Sequence, residues 1–416
     1  MKRTICFSCL IFMMAFLISC GNKASFKSST YEEGFVEGED YDPSQENFMY
    51  GPRTIAYSDQ ALYFNAGAYI FITDPKTMQT QPFCYRSNCL HNLETDQSKV
   101  ADCNAFTGTS LSSFLAYYRN HLIVASLDKS TNKRALIQMD TDGGNRKVIL
   151  PDLEKIQENR ISLHRGVIYY FVEETDLDGN QECSLFACSL LKPVPKPIQI
   201  LNVSGNAHGI RILPAGNHVY ADIITGDSED PSNSKNTIYD LDIRSGDIAK
   251  ITDEETYTIF GFRGGSLILR DSVGDFAFYE YKSETGIVKE SNGLNAFLEQ
   301  HPELHSFPSG MTDDLVFYNC IDLESGQLLN ELLAVDNSGD IICRLEGENF
   351  GHLGERMVIL DGSEYYIHYS ESRSPFTVNA YKKEDILNGI ADAITLLYAE
   401  DYQDINPPYI ISISPD

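Results

Sequence analysis

One short stretch has the residue types to hold a metal ion or to cross-link. Phe83-Cys84-Tyr85-Arg86-Ser87-Asn88-Cys89-Leu90-His91 is followed by Asp102-Cys103-Asn104, which spaces Cys84, Cys89, His91 and Cys103 as C-x4-C-x-H-x11-C. Three thiolates and one imidazole make a tetrahedral zinc set, and ligands this close in sequence can fold a loop around a structural ion. The spacing is not that of a zinc finger. A disulfide between any two of the three cysteines is the second reading, natural outside the cell, although it leaves one thiol unpaired. The third is a set of small apolar cysteines with no bond. Metal and disulfide would each staple an otherwise loose loop. Nothing in the spacing points to the open coordination position that a catalytic zinc needs.

Other chemistry is sparse. Glu174-Thr175-Asp176-Leu177-Asp178-Gly179-Asn180 sets carboxylates at alternate positions before a glycine. Calcium loops use that spacing, with Asp176 and Asp178 as the candidate ligands, but no closing glutamate follows, and an Asp-Gly hairpin tip is the simpler reading. His301-Pro302-Glu303-Leu304-His305 has the wrong order for a zinc-protease helix, with Pro302 where the glutamate is required. No Gly-x-Ser-x-Gly elbow, phosphate loop or dinucleotide glycine pattern occurs, so no catalytic residue is assigned. Of the remaining cysteines, Cys188 and Cys343 lie in strand patterns and are expected to be buried; Cys183–Cys188 and Cys320–Cys343 bridges are conceivable but not favoured.

The elements that must position these residues repeat. Short β-rich runs begin at Leu62, Leu122, Val167, Val219, Leu267, Leu315 and Tyr365, separated by 60, 45, 52, 48, 48 and 50 residues. Turn formers such as Asn120, Gly166, Asn217, Gly265 and Asp314 precede several of them. Partner strands end in polar turns, as in Ile137-Gln138-Met139-Asp140-Thr141-Asp142-Gly143-Gly144. A period of about 40–50 residues with about four strands is the pattern of propeller blades, each of which needs neighbours to cover both its faces. The chain is therefore expected to be all-β, a seven-bladed β-propeller, with six or eight blades as alternatives. The long first interval is explained by an insert at 84–103 carrying the cysteines. Helices are expected at Leu294–Gln300 and from Glu384 to Ile394, and Tyr409 to Ser414 as a strand that closes the ring or packs outside it.

The N-terminus carries a different signal. Lys2 and Arg3 precede an apolar run from Ile5 to Ile18, too short to span a bilayer but suited to an export signal. The run ends in Leu17-Ile18-Ser19-Cys20-Gly21, which resembles a bacterial lipobox. That resemblance implies cleavage before Cys20, diacylation of its thiol, and a protein anchored by lipid on the extracytoplasmic side of the cell membrane. Residues 20–52 are polar and acidic and are expected to be a flexible tether, leaving 53–416 as the propeller. The formal charge of the whole chain is −28, and more negative once Lys2 and Arg3 are removed. Such an excess excludes a nucleic-acid partner and attraction to anionic lipid surfaces.

The stretch Leu136-Ile137-Gln138-Met139-Asp140-Thr141-Asp142-Gly143-Gly144-Asn145, with the lipobox and the acidic tether, resembles exported Firmicutes β-propeller lipoproteins of the TolB-like group. A similar loop of three cysteines and a histidine belongs to the same resemblance. It implies location and fold more than activity. The expected role is a non-enzymatic binding or scaffolding propeller with a protein or glycan ligand at one face. Two alternatives stand beside it: a glycan-active propeller enzyme with paired carboxylates at the channel mouth, and a structural subunit of a cell-envelope complex.

Overall fold

The structure is a computed structural model. It describes residues 28–36, 38–40, 54–94, 96–108, 114–156, 160–175, 181–192, 194–204, 206–226, 234–252, 257–271, 277–283, 285–290, 293–346, 357–362, 364–370 and 376–400. Cys20, Asp176, Asp178 and the segment Tyr409 to Ser414 lie outside the described residues.

Seven four-stranded antiparallel sheets follow one another along the chain, at 55–82, 115–150, 161–204, 207–252, 257–289, 304–346 and 357–399, and are numbered blades 1 to 7. Each sheet is built from consecutive strands in sequence order, joined by hairpins. The expected seven-bladed β-propeller is the fold. The β-rich runs legible in the sequence are the second strands, such as Ala61–Ala66, His121–Asp128 and Val167–Thr175. The inner strand of each blade precedes them, and in blades 1 to 3 it is only four residues long: Ile55–Ser58, Leu115–Tyr118 and Ile161–His164.

Burial explains why the second strands are continuously apolar rather than alternating. In Val167–Thr175, Ile168 and Tyr170 pack with Ala116, Ile123 and Cys188 in the wedge between blades 2 and 3. Tyr169 and Phe171 point the other way, with Leu185, Ile212 and Val219 between blades 3 and 4. Both faces of the sheet are covered, so successive side chains are all apolar. The ring closes through the same kind of contact. Phe376, Val378 and Ala380 of blade 7 share a core with Ile55, Phe64 and Phe71 of blade 1.

Polar clamps fix neighbouring blades where the inner strands bulge. The ladder of blade 4 shifts between Gly209 and Arg211, and that of blade 5 between Ile259 and Gly261. A bulge leaves backbone groups without a partner in their own sheet. Glu173 Oε1 of blade 3 accepts the Gly209 N–H at 2.9 Å, and Asp222 Oδ2 of blade 4 accepts the Ile259 N–H at 3.1 Å. Arg211 Nη1 donates to the Ile259 and Phe260 carbonyls at 2.9 and 2.6 Å. Blade 3 comes so close that a Cβ on Gly209 would meet the Phe171 ring at 2.6 Å.

The helix Leu294–Gln300 forms as expected. The second helix is shorter than expected: it runs Lys383–Leu387, the backbone turns left-handed at Gly389, and Ala393–Ala399 is the outer strand of blade 7. Gly389 permits that reversal, and the apolar side chains that follow are used by the sheet. The turn His301–Glu303 links the helix Leu294–Gln300 to the strand Leu304–Met311, with His301 Nδ1 3.1 Å from Glu303 Oε1.

The stretch expected to be a flexible tether is partly docked. Residues 28–36 and 38–40 lie as a strap across inner-strand turns of blades 2, 3 and 4. Asp40 forms a bidentate ion pair with Arg165, and both side chains are fully buried. Arg165 Nη1 also donates to Asn217 Oδ1 at 2.8 Å and Nη2 to the Gly34 carbonyl at 3.0 Å. Asn217 Nδ2 donates to the Tyr31 carbonyl at 2.9 Å. Glu39 accepts from Arg119 Nε at 2.7 Å and from the Tyr118 hydroxyl at 3.0 Å, and Glu33 pairs with Arg244. Gly216, at φ +55°, has no room for a side chain because the Glu33 carbonyl sits 2.9 Å from where its Cβ would be. The acidic composition that reads as solvated is matched here by arginines far away in sequence.

Two outcomes follow. Asp40→Ala leaves a buried guanidinium unpaired and is expected to cost about 3 kcal/mol in urea unfolding. It should also open residues 28–40 to limited proteolysis, whereas equal cleavage of the parent chain would show that the strap is not held. Asp222, almost fully buried, has its carboxyl pushed up to about 7 by burial, against the opposing pull of the Ile259 N–H and Arg211. Between the unfolded value near 4 and about 7 the folded state holds the extra proton, so stability falls as pH rises through that window and levels off above it. Asp222→Asn should remove that slope, seen as a gain over the parent at pH 8 that vanishes at pH 4; an equal difference at both would refute the assignment.

Candidate metal centre

The insert between blades 1 and 2 is pinned at both ends to one residue. The Phe83 N–H donates to the Ile70 carbonyl at 2.9 Å, and the Ile70 N–H donates to the Ala105 carbonyl at 2.8 Å. Phe83, Cys103 and Ala105 are fully buried in the core of blade 1. The chain then crosses to blade 2: the Thr107 N–H donates to the Ala68 carbonyl and the Leu127 N–H to the Thr107 carbonyl, both at 2.8 Å. The loop between these pins carries the four residues singled out in the sequence.

Each is set by a different local device. Cys84 follows the outer strand Gln79–Pro82, its N–H on the Pro82 carbonyl at 2.7 Å. Cys89 closes a turn onto the Arg86 carbonyl at 3.3 Å. His91 sits at φ 53° at the head of a single 3-10 turn, His91–Leu93, and its carbonyl accepts the Tyr69 hydroxyl at 3.2 Å. Cys103 caps the short helix Gln97–Asp102, whose own N-cap is Asp96 accepting the Ser98 N–H at 3.0 Å.

These devices bring the three Sγ atoms and an imidazole nitrogen within 4.8 Å of one another. Cys103 Sγ lies 3.6 Å from His91 Nδ1. A tetrahedron with zinc–sulfur bonds of about 2.3 Å and a zinc–nitrogen bond of about 2.0 Å has edges of roughly 3.6 Å. All seven cysteines among the described residues are free thiols, whereas a disulfide would need sulfurs about 2.05 Å apart. The donor set is close enough to hold a metal ion after a contraction of about 1 Å or less, and four protein ligands would leave the ion no open position.

The surroundings act on the donors in opposite directions. Burial works to raise the Cys84 thiol, but the backbone amides of Arg86 and Asn104 and the thiols of Cys89 and Cys103 turned toward its sulfur bring it below the ordinary range. Burial pushes the Cys103 thiol up, with the Cys89 thiol and the charge of Cys84 adding to it. Burial also holds His91 toward its neutral form, the form that ligates. Three cations ring the site: Arg86 and Lys129 approach Asp102 at 3.9 and 3.8 Å, and half-buried Arg146 donates to the Asn104 carbonyl at 2.6 Å. Sequence spacing pointed to the four ligands. It did not point to Tyr69, Lys129 or Arg146, which come from other hairpins.

The other cysteines stay apart. Cys183 and Cys188 are five positions apart on the strand Gln181–Ser189, so they face opposite wedges, and Cys320 and Cys343 lie in different wedges. Glu174, at the start of the candidate calcium loop, pairs with Lys155 at 2.6 Å.

No family model matches the chain, and no curated protein matches it in sequence. Among solved structures it is similar to the β-propeller domain of the trilobed protease from Pyrococcus furiosus, at 10% identity and a TM-score of 0.48, over 86% of this chain and 97% of that one. Oligopeptidase B from Leishmania major is similar at 8% identity and a TM-score of 0.46, over 85% of this chain and 50% of that one. TolB from Acinetobacter baumannii is similar at 14% identity and a TM-score of 0.35, over 67% of this chain and 61% of its own length. The likeness is one of architecture, a ring of blades, at identities too low to extend to a site.

Tyr69→Phe removes the hydroxyl that holds the His91 carbonyl. It is expected to cost about 1 kcal/mol and to speed amide exchange at residues 91–94 above that of the blades. Unchanged exchange there would show that the hydrogen bond does not position His91.

Proposed function

We propose that the chain is a lipid-anchored, extracytoplasmic binding or scaffolding propeller whose insert between blades 1 and 2 is stapled by a structural zinc ion. The observation that carries the metal reading is the convergence of Cys84, Cys89, His91 and Cys103 within 4.8 Å. The site is built as a staple. Its ligands come from one loop, and the ion would join Cys84 at the loop's entrance to Cys103 at its exit, beside the crossing from blade 1 to blade 2. A closed four-ligand site would add to the folding free energy of the loop rather than act on a substrate.

The binding or scaffolding role rests on the rigid ring of seven blades with turns on both faces. The anchor rests on the export signal and Cys20. A protein or glycan partner at a ring face is the kind of ligand this architecture takes.

The test is native mass spectrometry and metal analysis of the purified chain, with thiol alkylation before and after chelation. One zinc per chain is expected, with Cys84, Cys89 and Cys103 alkylated only once a strong chelator is present. Chelation should also make residues 84–104 sensitive to protease while the blades stay folded. A metal-free chain lighter by two hydrogens, with two of these three cysteines resistant to alkylation until reduced, would make the cluster a disulfide and overturn the zinc reading.

A further inference from the structure

We infer that the ring is held on the bilayer with its strap face toward the lipid and the face from which the cysteine loop emerges turned outward. The inference rests on the anchor at Cys20 proposed above. In an up-and-down blade the first and third hairpin turns lie at one face of the ring, and the second turn and the connector to the next blade lie at the other. The strap contacts belong to the first kind. Arg119, Arg165 and Asn217 lie in or beside turns between first and second strands, and Arg244 lies between the third and fourth strands of blade 4. The cysteine loop leaves blade 1 after its fourth strand and is sewn to Ala68 and Tyr69, in the second turn.

The strap shortens the leash. Ser28 Oγ and the Ser29 N–H both donate to the Arg165 carbonyl, at 3.3 and 3.2 Å, so the chain is fixed to blade 3 at Ser28 and Ser29. From Cys20 to Ser28 the covalent path is eight residues, which reaches no further than about 30 Å. Counted to Thr54, where blade 1 begins, the path would be 34 residues and roughly 120 Å, enough for the ring to present any side. The faces are separated by the length of strands such as His121–Asp128, eight residues or roughly 25 Å. To present the opposite face, the leash would have to run outward across the four strands of a blade, about 14 Å, and then along that thickness, a path of roughly 40 Å that eight residues do not cover, so the strap face stays nearest the lipid. The arginines there are paired with Asp40, Glu39 and Glu33, so the orientation comes from the tether and is insensitive to salt.

The test uses the full-length chain, lipidated in a bacterial host and reconstituted in vesicles. A genetically encoded fluorophore is placed at Ser245, exposed on the strap face, or at Ser130, exposed in the second turn of blade 2, and energy transfer to an acceptor lipid is measured. Transfer from Ser245 should exceed that from Ser130 by at least about twofold for an offset of roughly 25 Å. A Gly/Ser insertion of about 40 residues between Lys27 and Ser28, which leaves the strap intact, should make the two equal. Equal transfer in the unmodified chain, or a difference that survives the insertion, would overturn the orientation while leaving the anchor standing, provided the protein floats with vesicles and carries a diacylglyceryl mass on Cys20. A chain that fails to float, with an unmodified Cys20, would overturn the anchor and the orientation together.

Discussion

A single blade cannot bury either of its faces. That constraint shapes almost everything else in this protein. Each sheet is covered only by its neighbours, so the core is a circle of wedges, and each wedge is filled by alternate residues of two adjacent blades. The second strand of a blade must feed two wedges at once, and its sequence becomes a run such as Val167-Ile168-Tyr169-Tyr170-Phe171. Stability is then shared around the ring, and a failure between two blades exposes apolar surface on both.

The same constraint makes polar groups at the wedges valuable. Where an inner strand bulges, the backbone loses partners in its own sheet, and the neighbouring blade supplies them through Glu173, Asp222 and Arg211. Burying these groups costs free energy that hydrogen bonds and pairing offset in part, and at Asp222 burial still outweighs them. Arg165 follows the same rule with the strap. Its guanidinium is fully buried, and Asp40, Asn217 and the Gly34 carbonyl accept four hydrogen bonds from it. In a chain with so large an acidic excess, arginine becomes the scarce partner, and Asp40, Glu39 and Glu33 of the strap each meet one.

The cysteine loop is an addition to this frame. Its two ends are pinned to Ile70, and its buried residues Phe83, Cys103 and Ala105 extend the core of blade 1. Between the pins there is little apolar surface to hold it, and Tyr85, Leu90 and Leu93 are exposed. A cross-link is the economical way to order such a segment, and the donor geometry suits a tetrahedral ion.

What the sequence by itself determined was the local chemistry and its period. Turn residues, β-rich runs about fifty positions apart and the spacing of Cys84, Cys89, His91 and Cys103 are legible because strand alternation and turn formation depend on neighbours in the chain. The helix Leu294–Gln300 is legible for the same reason, while the helical pattern from Glu384 overshoots the helix that ends at Leu387 because Ala393–Ala399 is claimed by a sheet. The four-residue inner strands were invisible, being too short to show a period. Only the tertiary structure decided that the four donors converge, that Tyr69 and Arg146 attend them, and that an acidic segment docks instead of floating. Those outcomes depend on pairs such as Asp40 and Arg165, 125 positions apart, and the local pattern of either residue carries no information about the other.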